Sequence, residues 1–451
     1  MKENAIMFEQ ARPIDPEKLS RLRKDFEADR VALAMQNAAS KTPIDQLVFH
    51  STSRVGNAHQ FSLELKTMKV TNQMSSGRCW IFAGCNVLRE IIARKIGSDD
   101  FEISQNYMAF YDKLEKINYS LEAIIDLSDR PADDRTLQCV LRPPVGDGGQ
   151  WDMFKSLVKK YGIVPKNVMD ETWASFHTKD SSFILNTAIR RFAAEAGRLK
   201  KAGKTEELRL LKEEVLDQLY RVLGIAFGLP AETFDFEYLD KDRNYHIDKG
   251  LTPLSFYEKY VGEDIDDYVS LIHSPTADKP YHETFTVDYV GNVIGGDAIH
   301  YLNLPMDELK AAVIASLKDG EPVWFGSDCG KFGDRADGVW DPLQYDYAPA
   351  FGFDLKMEKA DMLDYAQSAM NHAMVITGVN LDGDVPTKWK IENSWGGEKA
   401  YKGYYTATDL WFDYFVYQAV VRKKYLTGQQ LLDWEKEPHH LHPWDPMGTL
   451  A

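Results

Sequence analysis

The sequence predicts an α+β fold, and three observations carry that expectation. From Trp80 to Ile96 the apolar residues Trp80, Val87, Ile91 and Ile81, Leu88, Ile92 recur at helical spacing, and Gly97 follows as a natural C-cap. Two further stripes, Leu185-Ile189-Phe192-Ala196-Leu199 and Leu208-Leu211-Val215-Leu219-Val222, flank Gly203 and predict a helical hairpin between Phe183 and Phe227. After about Tyr281 the pattern turns to alternation, with strands expected at Phe285–Tyr289, Val323–Phe325, His372–Val379, Trp389–Ile391, Gly403–Thr406 and Phe415–Arg422. One helix, over Leu309–Leu317 and ended by Gly320, interrupts them.

Taken in order, Asp15-Pro16 reads as an N-cap with proline at the first helical position, and Leu19, Leu22 and Phe26 form one apolar stripe behind it. Phe61, Leu63 and Leu65 alternate with polar residues and predict a strand just ahead of a cysteine-bearing stretch. Between Gly97 and about Asp180 the pattern is irregular, with turn signals at Arg142-Pro143-Pro144 and Gly146-Asp147-Gly148-Gly149 and a helix opening near Gln150-Trp151-Asp152. The glycine pair either lets a peptide backbone come close or makes a tight turn. The charged faces of the hairpin (Arg190, Arg191, Lys200, Lys212, Glu213, Glu214) read as solvated. The tail from Leu426 has little periodicity, and His439, His440 and His442 lack the spacing of a metal site, so they read as a solvated loop.

A chain of 451 residues, 44% of them hydrophobic, can bury a large core in two or three domains or one elaborated one. Its formal net charge of -16 argues against an extended phosphate-binding surface and so against nucleic acid as a partner. No window has the roughly 20 apolar residues of a membrane span, and residues 1–18 carry no signal-like apolar core. Four cysteines (Cys79, Cys85, Cys139, Cys329) are too scattered for a disulfide framework or a zinc site. A cytoplasmic protein without cofactor or metal is the expectation.

Cys79 stands at the start of the Trp80–Ile96 run, where unpaired backbone N–H groups and the helix dipole favour a thiolate. Thiol catalysis also needs an imidazole to take and return the proton, a group to orient the imidazole, and donors for a tetrahedral oxyanion. His372, opening an alternating segment, fits the first need. Asn393, in Lys390-Ile391-Glu392-Asn393-Ser394-Trp395-Gly396, fits the second through its amide oxygen. Gln73, six positions before Cys79, can aim its side-chain NH2 at the same oxyanion as the Cys79 N–H.

Gln73 to Trp80, Asn371-His372-Ala373 and Asn393-Ser394-Trp395-Gly396 resemble, in order, the three motifs of papain-like cysteine peptidases. Ser76-Gly77-Arg78-Cys79-Trp80 lacks the first cysteine of the secreted C-G-S-C-W pattern, in keeping with an intracellular enzyme. Together with the glycine pair, the inserted helices and the closing Trp444-Asp445-Pro446-Met447-Gly448-Thr449-Leu450-Ala451, it resembles the bleomycin hydrolase family, which includes the bacterial aminopeptidase C enzymes. The resemblance implies a papain-like two-lobed catalytic fold, with a helical left lobe, a β-rich right lobe, a large helical insertion and a C-terminal arm. Mapped onto the chain, it gives an N-terminal helical segment (1–60), the left lobe with the central helix (61–180), the inserted helical domain (181–280), the right lobe (281–425) and the arm (426–451).

It further implies Cys79 as nucleophile, His372 as base and then acid, Asn393 as orienting group and Gln73 as oxyanion donor. Trp395 would shield the histidine–asparagine hydrogen bond, and Gly148 and Gly149 would form the edge where a substrate peptide lies as an added strand. The arm would enter the cleft, the carboxylate of Ala451 meeting a substrate's α-ammonium, so that peptides are cut at their free N-termini through a thioester acyl-enzyme. A homohexamer is implied as well. Two other functions fit the residues less well: acyl transfer to an amine at the same thioester, and the nucleic-acid binding described for some relatives.

Overall fold

The computed structural model describes residues 12–50, 52, 55–262, 264–334 and 336–451. They fall in two compact units, Met1–Val55 with Leu343–Met357, and Gly56–Pro342 with Glu358–Ala451. In the smaller unit the expected first helix runs Pro16–Ala28, capped by the Asp15 carboxylate, which accepts from the Lys18 N–H at 2.6 Å. A second helix, Arg30–Ala39, starts on Asp29 in the same way.

In the larger unit the described residues form one twelve-stranded sheet. Its order is His439–Leu441, Thr284–Val287, Tyr301–Asn303, Tyr268–Ile272, Val416–Arg422, Val323–Ser327, His372–Asp382, Val385–Glu392, Tyr404–Thr408, Val339–Trp340 and Gly333–Asp334, with Leu63–Glu64 also beside His372–Asp382. The strand predicted over Phe61–Leu65 is thus only two residues long. Tyr268–Ile272 escaped the sequence reading because every residue in it is buried, and a strand covered on both faces shows no alternation.

The central helix, Cys79–Ile96, is buried on nearly all sides and ends at Gly97, whose φ of 63° is the left-handed C-cap the sequence calls for. The inserted hairpin is Lys179–Lys201 and Thr205–Phe227, turning at Gly203, and a two-stranded sheet, Phe234–Leu239 with Tyr245–Leu251, follows it.

Two further regions differ from expectation. Where the sequence looks irregular after Gly97, a helix of 22 residues runs Gln105–Asp126, started by the Ser104 hydroxyl accepting from the Tyr107 N–H at 3.1 Å. It hides from periodicity because it buries Asp112, Lys113, Glu115 and Lys116 along with Tyr107, Phe110, Ile117 and Leu121, so charged and apolar residues do not separate into faces. The tail, in turn, is ordered: helix Gly428–Trp434, strand His439–Leu441 parallel to Thr284–Val287, and a 3₁₀ turn at Pro446–Gly448. His439 and His440 therefore lie in an edge strand rather than a loop, and His440 Nδ1 is 2.7 Å from an Asp288 carboxylate oxygen. Three residues are too few for a period, and the neighbouring strand imposes their conformation.

One buried ion pair joins the central helix to the sheet next to Asn393. Arg89 Nη2 lies 2.6 Å from Glu392 Oε1, both side chains being almost fully enclosed. Burial pushes the Glu392 carboxyl up to about 7 against the pull of Arg89. A carboxyl raised on folding binds its proton more tightly in the native state, so its contribution to stability declines as pH rises from about 4.3 towards 7. At pH 8, where Glu392 carries its charge, replacing Arg89 by Met should destabilise the protein by about 3–5 kcal/mol, because that charge is left buried without its guanidinium partner. Chemical denaturation should show a larger loss at pH 8 than at pH 5, and a second change, Glu392→Gln, should recover much of it.

Candidate active site

Cys79 is the first residue of the central helix and is buried, with its sulfur turned to the strand that His372 opens: the Ala373 N–H donates to Cys79 Sγ at 3.4 Å. The helix start alone does not ionise the thiol as the sequence suggests. Burial pushes it up to about 11, outweighing the N–H groups of Ala373, Trp80 and Cys79 itself. A thiolate at neutral pH therefore needs a partner that takes the proton.

His372 and Asn393 are brought together as expected. His372 Nε2 is 2.8 Å from Asn393 Oδ1, which also accepts from the Ser394 N–H at 2.7 Å. An amide oxygen only accepts, so Nε2 carries the hydrogen and Nδ1 is the ring nitrogen that can take up a proton. The register that places these residues is set by antiparallel pairing of His372–Asp382 with Val385–Glu392, Asn393 following directly on the latter. Trp395 stacks on the imidazole at 4.9 Å between centroids.

Gln73 is held from both ends of its amide. Its Oε1 accepts from Ser394 Oγ at 2.6 Å, and its Nε2 donates one hydrogen to the Ser76 carbonyl at 2.6 Å. The amide NH2 has a second hydrogen for an oxyanion. Ser394 was not singled out from the sequence, although it stands in the Asn-Ser-Trp-Gly run.

Gly148 and Gly149 are glycines for want of space. A Cβ on Gly149 would collide with the Trp80 indole, and one on Gly148 with the Leu450 carbonyl. The backbone that approaches Gly148 is thus the chain's own Leu450-Ala451. Asp147, just before the glycine pair, reads from the sequence only as a turn residue. Its carboxylate accepts from the Gly77 N–H at 2.9 Å, from Thr178 Oγ1 and from Lys113 Nζ at 2.6 Å, while its carbonyl accepts from Trp80 Nε1 at 2.7 Å. Burial would raise this carboxyl, but Lys113, Thr178 and Gly77 hold it well below the usual range. Lys116 donates to the Gly146 and Gly148 carbonyls and lies over the Trp80 ring. The glycine loop and the cysteine loop are thereby clamped to each other.

The arm reaches the other wall as well: Thr449 Oγ1 donates to the Met370 carbonyl at 2.8 Å, two residues before His372. Thr449 to Ala451 thus run between the glycine loop on the Cys79 side and the approach to His372. Among the described residues, no group of three His, Cys, Asp or Glu side chains is placed to hold a metal ion.

The model of the Peptidase C1-like family matches residues 13–448. The chain belongs to this family. It is 48% identical to an aminopeptidase C of Lactobacillus delbrueckii subsp. lactis, across 92% of this chain and 93% of the relative, and 39% identical to the bleomycin hydrolase of Mus musculus, across 97% and 99%. The crystal structure of PepW from Lactobacillus rhamnosis HN001 superposes with a TM-score of 0.95 at 45% identity, covering 97% of this chain and 99% of that one. The fold of this Peptidase C1-like chain is the papain-like one expected, a mixture of helix and sheet.

The buried thiol yields a pH prediction. In a His372→Ala variant, alkylation of Cys79 by iodoacetamide should fall at least about tenfold at pH 7, the change in thiolate fraction for each pKa unit. The rate should then climb with pH towards a midpoint near 11. An unchanged profile would mean that the thiol ionises without the ring.

Proposed function

We propose that the chain is a cysteine aminopeptidase that removes N-terminal residues from peptides, with Cys79, His372, Asn393 and Gln73 as its catalytic residues. The observation that carries this reading is the arm between the glycine loop and Met370, beside a buried thiol, an imidazole and its orienting amide. The names aminopeptidase C and bleomycin hydrolase borne by relatives across nearly the whole chain support it.

In the proposed reaction Cys79 Sγ attacks the scissile carbonyl carbon as its proton passes to His372 Nδ1. The developing oxyanion lies between the Cys79 N–H and Gln73 Nε2. His372 returns the proton to the leaving amine, the C–N bond breaks, and a thioester remains. Water, deprotonated by the same ring, then releases the N-terminal residue as a free acid. Asn393 keeps the ring in the one orientation both steps need, and Trp395 keeps water from that hydrogen bond.

Gly148 and Gly149 are proposed as the edge that binds substrate backbone. Leu450-Ala451 fill its far end, so upstream residues have no room. Ala451 is proposed to present its carboxylate to the substrate's α-ammonium. Acyl transfer to an amine would use the same thioester, but the relatives' names favour hydrolysis. The charge of -16 weighs against nucleic acid.

A cytoplasmic location and a homohexamer complete the reading. All four cysteines are free thiols, which suits a reducing compartment, and among the described residues no helix is long and apolar enough to cross a membrane. The stripe of the first helix leaves Leu19, Leu22 and Phe26 at 61%, 47% and 44% exposure, an apolar face suited to contact with another copy.

Cys79→Ala should lower hydrolysis of aminoacyl reporters by a factor on the order of 10³ or more while leaving the thermal midpoint near that of the parent. Retained turnover would refute the assignment. Removing Thr449–Ala451 should weaken cleavage of substrates with free amino groups and open activity on N-acetylated ones, read as the ratio of kcat/KM values. Light scattering should give a mass near six times 51.4 kDa.

A further inference from the structure

The arm's position at the cleft depends on what holds its base. Asp445 stands where the arm turns towards the cleft, and its two carboxylate oxygens do different work. Oδ1 accepts from the Met447 N–H at 2.8 Å and so caps the turn Pro446–Gly448. Oδ2 lies 2.9 Å from Lys279 Nζ, an ammonium with only 2% of its side chain exposed. From Asp445 onward the backbone is a continuous hook: the Gly448 N–H donates to the Asp445 carbonyl at 2.9 Å, Thr449 to Pro446 at 3.4 Å and Ala451 to Gly448 at 3.2 Å. These bonds couple the location of Asp445 to that of Leu450 and Ala451.

Lys279 is itself fixed to the sheet. Its N–H donates to the Thr276 carbonyl, and its carbonyl accepts from Asn303 Nδ2 at 2.7 Å, Asn303 lying in the strand Tyr301–Asn303. A second carboxylate, Asp278, is 2.9 Å from the ammonium. The hook is further pinned at the Met447 carbonyl, which accepts from Tyr301 Oη at 3.2 Å and Gln150 Nε2 at 3.4 Å. Those are neutral hydrogen bonds, as is that of Thr449 to Met370, whereas the Lys279–Asp445 contact is a charge-assisted one in an enclosed site.

We infer that Lys279 is a specificity-positioning residue: through Asp445 it holds the hook at the depth where Leu450-Ala451 close the cleft against peptides extending upstream. The inference rests on the proposal that the arm confers aminopeptidase specificity. Lys279 touches neither substrate nor the reacting atoms, so its effect should appear in selectivity rather than in the competence of the thiol.

The test compares kcat/KM for an aminoacyl reporter with a free amino group against its N-acetylated form, in the parent protein, Lys279→Met, Lys279→Arg, Asp445→Asn and a chain lacking Thr449–Ala451. Lys279→Met should move the ratio towards the acetylated substrate by about tenfold to a hundredfold, with Cys79 still alkylated stoichiometrically. Lys279→Arg, which keeps the charge, should restore most of the parent ratio. Asp445→Asn keeps a capping oxygen for Met447 but loses the ion pair, so it should shift the ratio even if Lys279→Met fails to fold. If the truncation shifts the ratio while Lys279→Met and Asp445→Asn do not, the role of Lys279 is overturned and the arm proposal stands. If the truncation leaves the ratio unchanged, the arm proposal itself fails.

Discussion

A buried thiol is costly to ionise, and much of the larger unit is arranged around that constraint. Cys79 lies where a helix start meets the strand of His372, and the backbone donors that surround its sulfur do not outweigh its loss of solvent. The imidazole has to stand in a fixed place and in one tautomer, which Asn393 enforces through a single hydrogen bond under the Trp395 ring. Burial suppresses the free thiolate, so on the proposed mechanism reactivity is tied to the completed constellation rather than to the cysteine alone.

That constellation is drawn from two sides, a helix and loop on one and a sheet on the other, and buried charge ties them. Arg89 on the central helix meets Glu392 beside Asn393, and Gln73 on the cysteine loop meets Ser394 just beyond it. On the helix side Asp147, Lys113 and Lys116 bind the glycine loop to Gly77 and Trp80. Another such pair is Arg78 with Glu171, 2.9 Å apart immediately before the cysteine. Ion pairs of this kind are weak sources of net stability but have exacting geometry, which suits them to holding separate elements in register.

In the proposed reading, the closing segment is what turns this thiol site towards one class of peptide. Its Thr449 is bonded to the His372 side and its Leu450 abuts Gly148 on the Cys79 side, so both glycine and arm are explained by the same close approach. On that proposal, shape and charge at one end of the cleft, rather than the reacting atoms, decide which bonds are reached.

Much of this was legible in the order of residues. The central helix with its Gly97 cap, the hairpin about Gly203, the later strands and the sequence of glutamine, cysteine, histidine and asparagine follow from periodicity, caps and motif spacing, because those features are local or repeat along the chain. The helix Gln105–Asp126 was not legible, since its buried lysines and acids satisfy one another through partners distant in sequence, such as Asp147 and Asn292. Nor was the ordered tail, whose strand borrows its register from Thr284–Val287. The residue types at the site were thus determined by the sequence itself. Whether the thiol is exposed or buried, and what lies against Gly148, were decided by tertiary structure, because both depend on how much solvent the rest of the chain removes.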